Sequence, residues 1–448
     1  MKNILLITLC CFFSNLSAQK TNHKQSIDSL LHYFQQNNAF SGSVLIQKAD
    51  STVYKGNYNK FNPSNELYRI GSITKMFTAV VIYQLIEEDR LTLDTKLSTY
   101  YPEIKYANEI TIQQLLNHTS GLYNYLEWDQ YYANKEKFFT SQEMLDIIKE
   151  GTPEFKPGKG CKYSNSNYLL LGYIIEKITL KSFSENVNDR IVSKLGLKNT
   201  YCETNTANYH KRNKSHTFNG ASWVQEPETH PSFSAAAGEM VSTSEDLSKF
   251  INNLFKSDLI SPEHVNLMAK TSNGMIGHGL FYMPFNKMIA YGHSGGLDEF
   301  TSVTIFFLKE NVSMTFLSIG RHVPLNDVVV GVASKYFNTP YTTPNLKTYA
   351  SKTATTVESY EGSYKAKLLG VLNVGTFHIS RASENYLYFS MHNDGESGEK
   401  ALLQRIGENK FYNRKISATL DFLVNDKGKV TGITLTQGKQ SIKCKKIS

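Results

Sequence analysis

The spacing of hydrophobic residues before about residue 340 predicts a mixture of helices and strands. Apolar positions recur at helical spacing from Met76 to Leu85, which predicts one helix. Two further helices are predicted, an apolar one over Leu169–Ile178 and one that begins at the cap-like residues Thr243 and Ser244. Short apolar runs predict strands at Val44–Ile46, Ser302–Leu308 and Val312–Leu317. Because the helical segments lie between early and late strands, we expect an α/β (α+β) fold with an antiparallel sheet flanked by helices.

The last hundred residues show a different pattern. A polar, turn-rich stretch over 340–352 predicts a linker, and we place the domain boundary so that one domain covers 19–344 and the other covers 345–448. Beyond the linker, short apolar runs alternate with turn formers such as Asn425–Gly428. This pattern predicts a small all-β domain, either a sandwich or a barrel.

The N-terminus predicts export. Lys2 precedes an apolar run over Ile4–Phe13, and Ser17 and Ala18 supply the small residues of a cleavage site. The pattern is typical of a secretory signal peptide over residues 1–18, and a buried first strand or helix is the alternative. No second long apolar run follows. We therefore expect an exported protein, periplasmic or secreted, with no stable membrane span after cleavage.

Composition and charge exclude several classes of protein. Hydrophobic residues make up 40% of the 448 residues, which excludes a disordered chain. The formal net charge is +8 with no basic block, so nucleic-acid binding is not expected. From residue 345 onward there are 16 basic and 9 acidic residues. This excess is either a docking surface for an acidic polymer or simply a solvated face.

One Ser-x-x-Lys motif stands where it can activate a serine. A serine hydroxyl needs a neighbouring base, and the i, i+3 spacing of Ser72 and Lys75 puts both on one helical face. Ser17–Lys20 and Ser397–Lys400 share the spacing, but only Ser72 follows a glycine and opens an apolar helix. The alternative is a helix-capping serine beside a surface lysine.

Two more segments carry candidate chemistry. Tyr163 and Asn165 precede the predicted helix over Leu169–Ile178. The phenol of a tyrosine can relay protons where nearby cations lower its pKa, and the amide of an asparagine can orient a substrate carbonyl. His293 is followed by Gly295 and Gly296 and leads into a predicted strand. The backbone there can offer an N–H to an oxyanion, and glycines allow close approach of a substrate. The alternatives are ordinary turns.

The three motifs in this order resemble those of the penicillin-recognising serine hydrolases. These include class C β-lactamases, D-alanyl-D-alanine carboxypeptidases, D-aminopeptidases and related esterases. The resemblance covers about residues 26–335 and extends to the flanking segments Tyr68–Ala79, Thr111–Leu122 and Phe155–Gly172. It implies a β-lactamase/transpeptidase-like fold with a helical subdomain, and the C-terminal part resembles a lipocalin-like β-barrel.

The resemblance also implies a role for each motif residue. Ser72 is the expected nucleophile, and Lys75 and Tyr163 share the role of base. Asn165 holds the substrate amide, while His293 and Gly295 lie near the leaving group or a substrate carboxylate. The backbone N–H groups of Ser72 and Gly296 form the expected oxyanion hole, and His118 is expected only to shape a turn under the site.

Departures from the family pattern bear on the substrate. The chain contains no Lys-Thr-Gly, and Gly238-Glu239-Met240 stands where many members have Gly-Gly-Leu. His293 does not guarantee a positive charge for a β-lactam carboxylate, although Arg321 is a candidate for that contact. We expect a peptidase or esterase acting on a small molecule or peptide, such as a cell-wall peptide. A dedicated β-lactamase and a catalytically silent binding protein are the alternatives.

No cofactor is implied by the sequence. His-Glu-x-x-His and nucleotide-binding glycine motifs do not occur, so no metal or nucleotide is expected. After cleavage Cys161, Cys202 and Cys444 remain, an odd number without a Cys-x-x-Cys pair, which argues against a disulfide framework. The oligomeric state is left open.

Overall fold

The computed structural model describes residues 23–205, 211–320, 322–349, 356–368, 372–393, 396–397, 400–414 and 417–447. The predicted signal peptide, residues 1–18, lies outside the described residues, as does Arg321. The chain divides into a large unit, Ser41–Ser215 with Glu226–Gly320, and a small unit that comprises the remaining segments. The domain boundary between residues 344 and 345 stays a prediction.

Twenty strands are formed by the described residues. They are β1 (Ser41–Lys48), β2 (Ser51–Asn57), β3 (Tyr68–Arg69), β4 (Tyr201–Cys202), β5 (His216–Phe218), β6 (Trp223–Gln225), β7 (Met240–Ser242), β8 (Phe281–Tyr282), β9 (Ala290–Leu297), β10 (Phe300–Phe307), β11 (Val312–Gly320), β12 (Gly362–Leu368), β13 (Leu372–Ser383), β14 (Tyr386–Asn393), β15 (Glu396–Ser397), β16 (Ala401–Gly407), β17 (Lys410–Asn413), β18 (Ala418–Val424), β19 (Val430–Gln437) and β20 (Gln440–Lys446).

The helices are mostly short, and those of the large unit lie between its early and late strands. They are α1 (23–36), α2 (Thr74–Glu87), α3 (Ile112–Leu116), α4 (Tyr131–Asn134), α5 (Ser141–Glu150), α6 (Asn165–Thr179), α7 (Phe183–Val187), α8 (Ser193–Leu195), α9 (Pro231–Ser234), α10 (Ser244–Phe255), α11 (Pro262–Ala269) and α12 (Leu325–Phe337).

The main sheet of the large unit has six strands in the order β2-β1-β11-β10-β9-β8. Neighbouring strands are antiparallel throughout, and the predicted hairpin is β10 and β11, with Phe307 opposite Val312. The first and last interior strands along the chain, β1 and β11, are neighbours in this sheet. The antiparallel sheet flanked by helices is therefore confirmed.

Helix α2 lies at the centre of the helical layer. Every residue from Thr74 to Leu85 is buried, because apolar side chains occur on all sides of the helix. Phe77 stacks on Phe250 of α10 with ring centroids 3.8 Å apart. The predicted cap of α10 is formed, since the Thr243 hydroxyl accepts a hydrogen bond from the Asp246 N–H. The two other predicted helices are α2 and α6.

The C-terminal strands form a closed barrel. Their order is β13-β12-β20-β19-β18-β17-β16-β14, and pairing of β13 with β14 closes the ring of eight strands, to which the short β15 adds. Aromatic side chains, among them Tyr360, Tyr364, Phe411 and Phe422, fill the interior. The barrel implied by the resemblance is confirmed.

Within the described residues, no helix combines the length and the apolar character that crossing a bilayer requires.

Candidate active site

The turn that carries Ser72 is pressed against strand β9. Ser72 lies in a 3-10 turn, Gly71–Ile73, which runs directly into α2. Gly71 has a φ of +50°, and a Cβ at this position would lie 2.8 Å from the Gly296 nitrogen. The Ser302 hydroxyl of β10 donates to the Ile70 carbonyl at 2.7 Å. Only glycine at position 71 permits this approach of the serine to the sheet edge.

Lys75 reaches three oxygen atoms from the first turn of α2. Its Nζ lies 2.9 Å from Ser72 Oγ, 2.8 Å from Asn165 Oδ1 and 2.7 Å from the Ala237 carbonyl oxygen. The side chain is fully buried, and this desolvation holds the pKa of Lys75 well below its ordinary value. Burial therefore favours the neutral amine form of Lys75 over the ammonium form.

The partners of Lys75 decide where a neutral amine would point. Asn165 Oδ1 and the Ala237 carbonyl can only accept, so each takes one N–H of the amine. Ser72 is the remaining partner and has a proton to give. The lone pair of the neutral amine is thus directed at the Ser72 hydroxyl, which is the geometry that a general base needs.

Asn165 is held at the first residue of α6. Its backbone N–H and its Nδ2 both donate to Asn124 Oδ1, at 3.0 and 3.2 Å. Its Oδ1 accepts from Lys75, and the residue is 6% exposed. One Nδ2 hydrogen remains to meet a substrate carbonyl.

Tyr163 presents an unpaired phenol to the site. Its ring lies 5.0 Å from Lys75 Nζ, and its buried hydroxyl has no hydrogen-bond partner within the described part of the chain. Burial raises the pKa of Tyr163, while the nearby Ser72 hydroxyl works weakly against that rise. The phenol is therefore a proton donor at neutral pH, and its pKa is not lowered as a cation-driven relay would require.

His118 contributes more to the site than the expected turn. Its ring stacks on Tyr163 with centroids 4.3 Å apart and an interplanar angle of 27°. Its Nδ1 accepts the Ser164 N–H at 3.1 Å, and burial lowers its pKa well below the ordinary value. A neutral His118 thus fixes the segment and the ring plane of Tyr163. Nothing in the residue spacing of Thr111–Leu122 signals this contact.

His293 is a neutral hydrogen-bond acceptor on β9. Its Nδ1 lies 2.5 Å from the Ser294 carbonyl and must donate to it, which leaves the lone pair on Nε2. Burial and the proximity of Lys75 lower the pKa of His293 to about 3. Nε2 is buried and unpartnered among the described residues, and the ring centroid lies 6.4 Å from that of Tyr163.

Of the two glycines after His293, Gly295 lets the serine turn pack closely against β9, and Gly296 has open space beside it. A Cβ on Gly295 would lie 2.0 Å from the Ile70 carbonyl oxygen, whereas one on Gly296 would meet open space. Strand β8 pairs only with Tyr291 and Gly292 of β9. The remaining edge of β9 therefore faces the serine turn, and the structure brings all seven predicted site residues together.

The turn behind Lys75 contains a buried acid. The Ala236 carbonyl accepts from Thr78 Oγ1 at 2.7 Å, as Ala237 accepts from Lys75. Two residues later, Glu239 is 2% exposed and accepts the Thr204 N–H at 3.0 Å. Burial raises the pKa of Glu239 to about 8. The glutamate in place of a glycine thus points into the protein.

A buried ion network anchors the strand that precedes Ser72. Arg69 of β3 lies 2.7 Å from a Glu203 oxygen and 3.3 Å from an Asp298 oxygen. Glu203 also pairs with Arg212, which in turn contacts Glu228 at 2.8 Å. Removal of one partner of such a buried network leaves an uncompensated charge. No local sequence pattern predicts this network, because Arg69 lies 134 residues before Glu203 and 229 residues before Asp298.

Metal ligands are not clustered in the described ranges. No group of three or more His, Cys, Asp or Glu side chains has the arrangement of a metal site there. Cys161, Cys202 and Cys444 are free thiols.

Comparison with known proteins supports the resemblance to serine hydrolases that the three motifs indicate. The Beta-lactamase family description matches residues 27–331. The chain is 24% identical to "Penicillin-binding protein 4*" of Bacillus subtilis over 94% of this chain and 98% of that protein. It is 30% identical to "Teichoic acid D-alanine hydrolase" of Staphylococcus aureus, over 52% of this chain and 58% of that protein.

A solved structure shares both the fold and part of the sequence. The D-amino acid amidase from Ochrobactrum anthropi superposes with a TM-score of 0.63 and 25% identity, covering 70% of this chain and 98% of that chain. The family match spans most of the chain and includes all three motifs. The chain therefore belongs to the Beta-lactamase family and is a serine hydrolase.

Proposed function

We propose that this protein hydrolyses an amide or ester bond of a D-aminoacyl compound through an acyl-enzyme on Ser72. The observation that carries the proposal is the buried Lys75 Nζ, which lies 2.9 Å from Ser72 Oγ and is bound on its other sides by two carbonyl oxygens. A helix-capping serine beside a surface lysine would need neither this burial nor these partners.

In the acylation step Ser72 Oγ attacks the substrate carbonyl carbon while Lys75 accepts the hydroxyl proton. The carbonyl π electrons move to oxygen, and the N–H groups of Ser72 and Gly296 stabilise the oxyanion. When the tetrahedral intermediate collapses, the bond to the leaving amine or alcohol breaks, and Tyr163 donates the proton that this group needs. The Lys75 ammonium then restores the phenol. In the second half, water attacks the acyl carbonyl carbon while Lys75 accepts a proton from it. The bond between this carbon and Ser72 Oγ then breaks, the Lys75 ammonium returns the proton to Ser72 Oγ, and the acid is released.

Two observations favour the D-aminoacyl class. Two relatives, a D-amino acid amidase and a teichoic acid D-alanine hydrolase, are named for reactions at a D-amino acid. Within the site, His293 offers a neutral acceptor in place of a cation, so it suits an N–H, O–H or ammonium group rather than a carboxylate. The dedicated β-lactamase, which needs a carboxylate contact, is the less favoured alternative.

The nucleophile is tested with a fluorophosphonate and intact-protein mass. We expect one adduct on the wild type and none on Ser72→Ala. Ser397→Ala is the matched control, because Ser397 belongs to another Ser-x-x-Lys sequence. This variant should take the adduct as the wild type does. A folded wild-type protein that takes no adduct would contradict the proposal and favour a silent binding protein.

The substrate class is tested separately with paired chromogenic amides. D-Alanine p-nitroanilide should be hydrolysed at least about 10-fold faster than its L-enantiomer, and a cephalosporin should turn over slowly. Rapid cephalosporin deacylation would instead support the β-lactamase alternative.

Export is also part of the proposal. Cleavage after Ala18 should give a mature chain that begins at Gln19. N-terminal mass analysis of protein from the envelope or medium of the source cells checks this. An intact Met1 on the active protein would contradict it.

A further inference from the structure

A cavity separate from the Ser72 site lies in the large unit, behind the turn that holds Lys75. It has a volume of about 250 Å³. Helix α6, the start of α7 and the residues Ala235, Ala236 and Glu239 form its walls. Thr140 and Ser141 lie on its rim and are exposed, so small molecules can reach it.

Two carboxyl groups line this cavity without a cation. Glu239 has one oxygen bonded to the Thr204 N–H, and within the described segments its carboxyl has no ion-pair partner. Glu176 of α6 accepts the Phe183 N–H at 2.8 Å and likewise has no ion pair in the described structure. The lining residues include no Lys, Arg or His. A buried carboxyl without a cationic partner is costly, and a bound cation would relieve that cost.

The rest of the wall is aromatic. Tyr173 and Phe183 are buried within it, Phe139 is partly buried, and Phe138 is 62% exposed. Aromatic faces attract organic cations and also cover their apolar parts. Carboxyl groups combined with aromatic walls are the chemistry that recognises an ammonium group on a small apolar body.

We propose that this cavity binds a small organic ammonium ion, with Glu239 as its counter-ion. The site is separate from the Ser72 cleft and goes beyond the proposed hydrolase activity. It touches that activity at one point, since Ala236 lines the cavity and the neighbouring Ala237 carbonyl accepts from Lys75.

The protonation state of Glu239 links cation binding to proton release, which can be measured. Its pKa of about 8 means that the carboxyl is mostly protonated at pH 7. The groups that act on it are Glu203 and Glu176, which raise its pKa, and Arg69, which lowers it; the Cys202 thiol also lies nearby. A bound cation favours the ionised form, so binding at pH 7 should release most of one proton and should tighten severalfold as the pH rises toward 9.

The experiment is calorimetric titration of the mature chain with phenethylammonium. Its neutral counterpart, 2-phenylethanol, has nearly the same shape without the charge. Two buffers of different ionisation enthalpy report the released proton. Glu239→Gln keeps the size of the side chain but removes its charge, and Glu150→Gln removes one exposed carboxyl elsewhere as the control.

We expect the amine to bind at least about 10-fold more tightly than the alcohol, with proton release, and Glu239→Gln to lose both properties. Glu150→Gln should behave as the wild type. Equal affinity for amine and alcohol would overturn the proposal. So would unchanged binding in a folded Glu239→Gln variant, because the amine would then occupy another place such as the Ser72 cleft.

Discussion

Asn165→Asp should move the pH dependence of catalysis, because it places a carboxylate beside the base. The Asn165 side-chain oxygen lies 2.8 Å from Lys75 Nζ, and both residues are buried. At an effective dielectric of about 20, a full charge at this distance stabilises the lysine ammonium by about 6 kcal/mol. This corresponds to a roughly 10⁴-fold smaller proportion of neutral amine at a given pH. If burial of the new carboxylate offsets half of the energy, about 10²-fold remains.

The sign of the effect follows from which form is active. Catalysis requires neutral Lys75, so kcat/KM rises as pH passes upward through the pKa of that lysine. A carboxylate at position 165 raises this pKa and shifts the acid limb of the profile to higher pH. Asn165→Ala is the control, since it removes an acceptor without adding charge and should shift the limb in the opposite direction.

The assay is the rate of D-alanine p-nitroanilide hydrolysis between pH 5.5 and 10, with fluorophosphonate labelling as a second readout. On the acid limb of the profile, Asn165→Asp should be at least about 10²-fold slower than the wild type at the same pH and should recover as the pH rises. An unshifted acid limb in both variants would refute the assignment of Lys75 as a neutral base.

Three further predictions concern residues around the site. His118→Leu should lower kcat about 10-fold with little change in KM, because Tyr163 loses its stacking partner; an unchanged kcat would remove this positioning role. His293→Lys should raise kcat/KM for a substrate with a terminal carboxylate relative to its carboxamide, and an unchanged ratio would contradict the acceptor assignment. The Glu239 pKa is raised from 4.5 to about 8 on folding, so stability present below pH 4.5 is lost as pH rises toward 8. Urea unfolding should show a loss of a few kcal/mol over that window in the wild type, and the loss should be smaller in Glu239→Gln.

Much of the architecture follows from local patterns. The helix after Ser72 and the β10–β11 hairpin are predictable because each is formed by continuous, largely apolar segments that the fold buries almost completely. The sequence pattern of the C-terminal strands allowed either a sandwich or a barrel. Alternation of apolar and polar residues along a strand determines which face is buried, but it does not determine whether the sheet closes. The pairing of β13 with β14 decides that question.

The residues of the candidate site were predictable from the sequence, but their protonation states and long-range contacts were not. Ser72 and Lys75 are neighbours in sequence, so their contact follows from helical spacing. The stacking of His118 on Tyr163 joins residues 45 positions apart, and no local pattern encodes it. Protonation states depend on burial by the whole fold, which is why the raised pKa of Tyr163 and the neutral state of His293 appear only in three dimensions.

Closure of the C-terminal ring affects how its backbone amides exchange with solvent. Each of the eight strands has a neighbour on both sides, so opening any one of them breaks two ladders of hydrogen bonds. The six-stranded sheet instead ends at β2 and β8, where amides can open one ladder at a time. Deuterium should therefore enter the barrel strands nearly together, through a shared unfolding event, while it enters the open sheet progressively from its two edges.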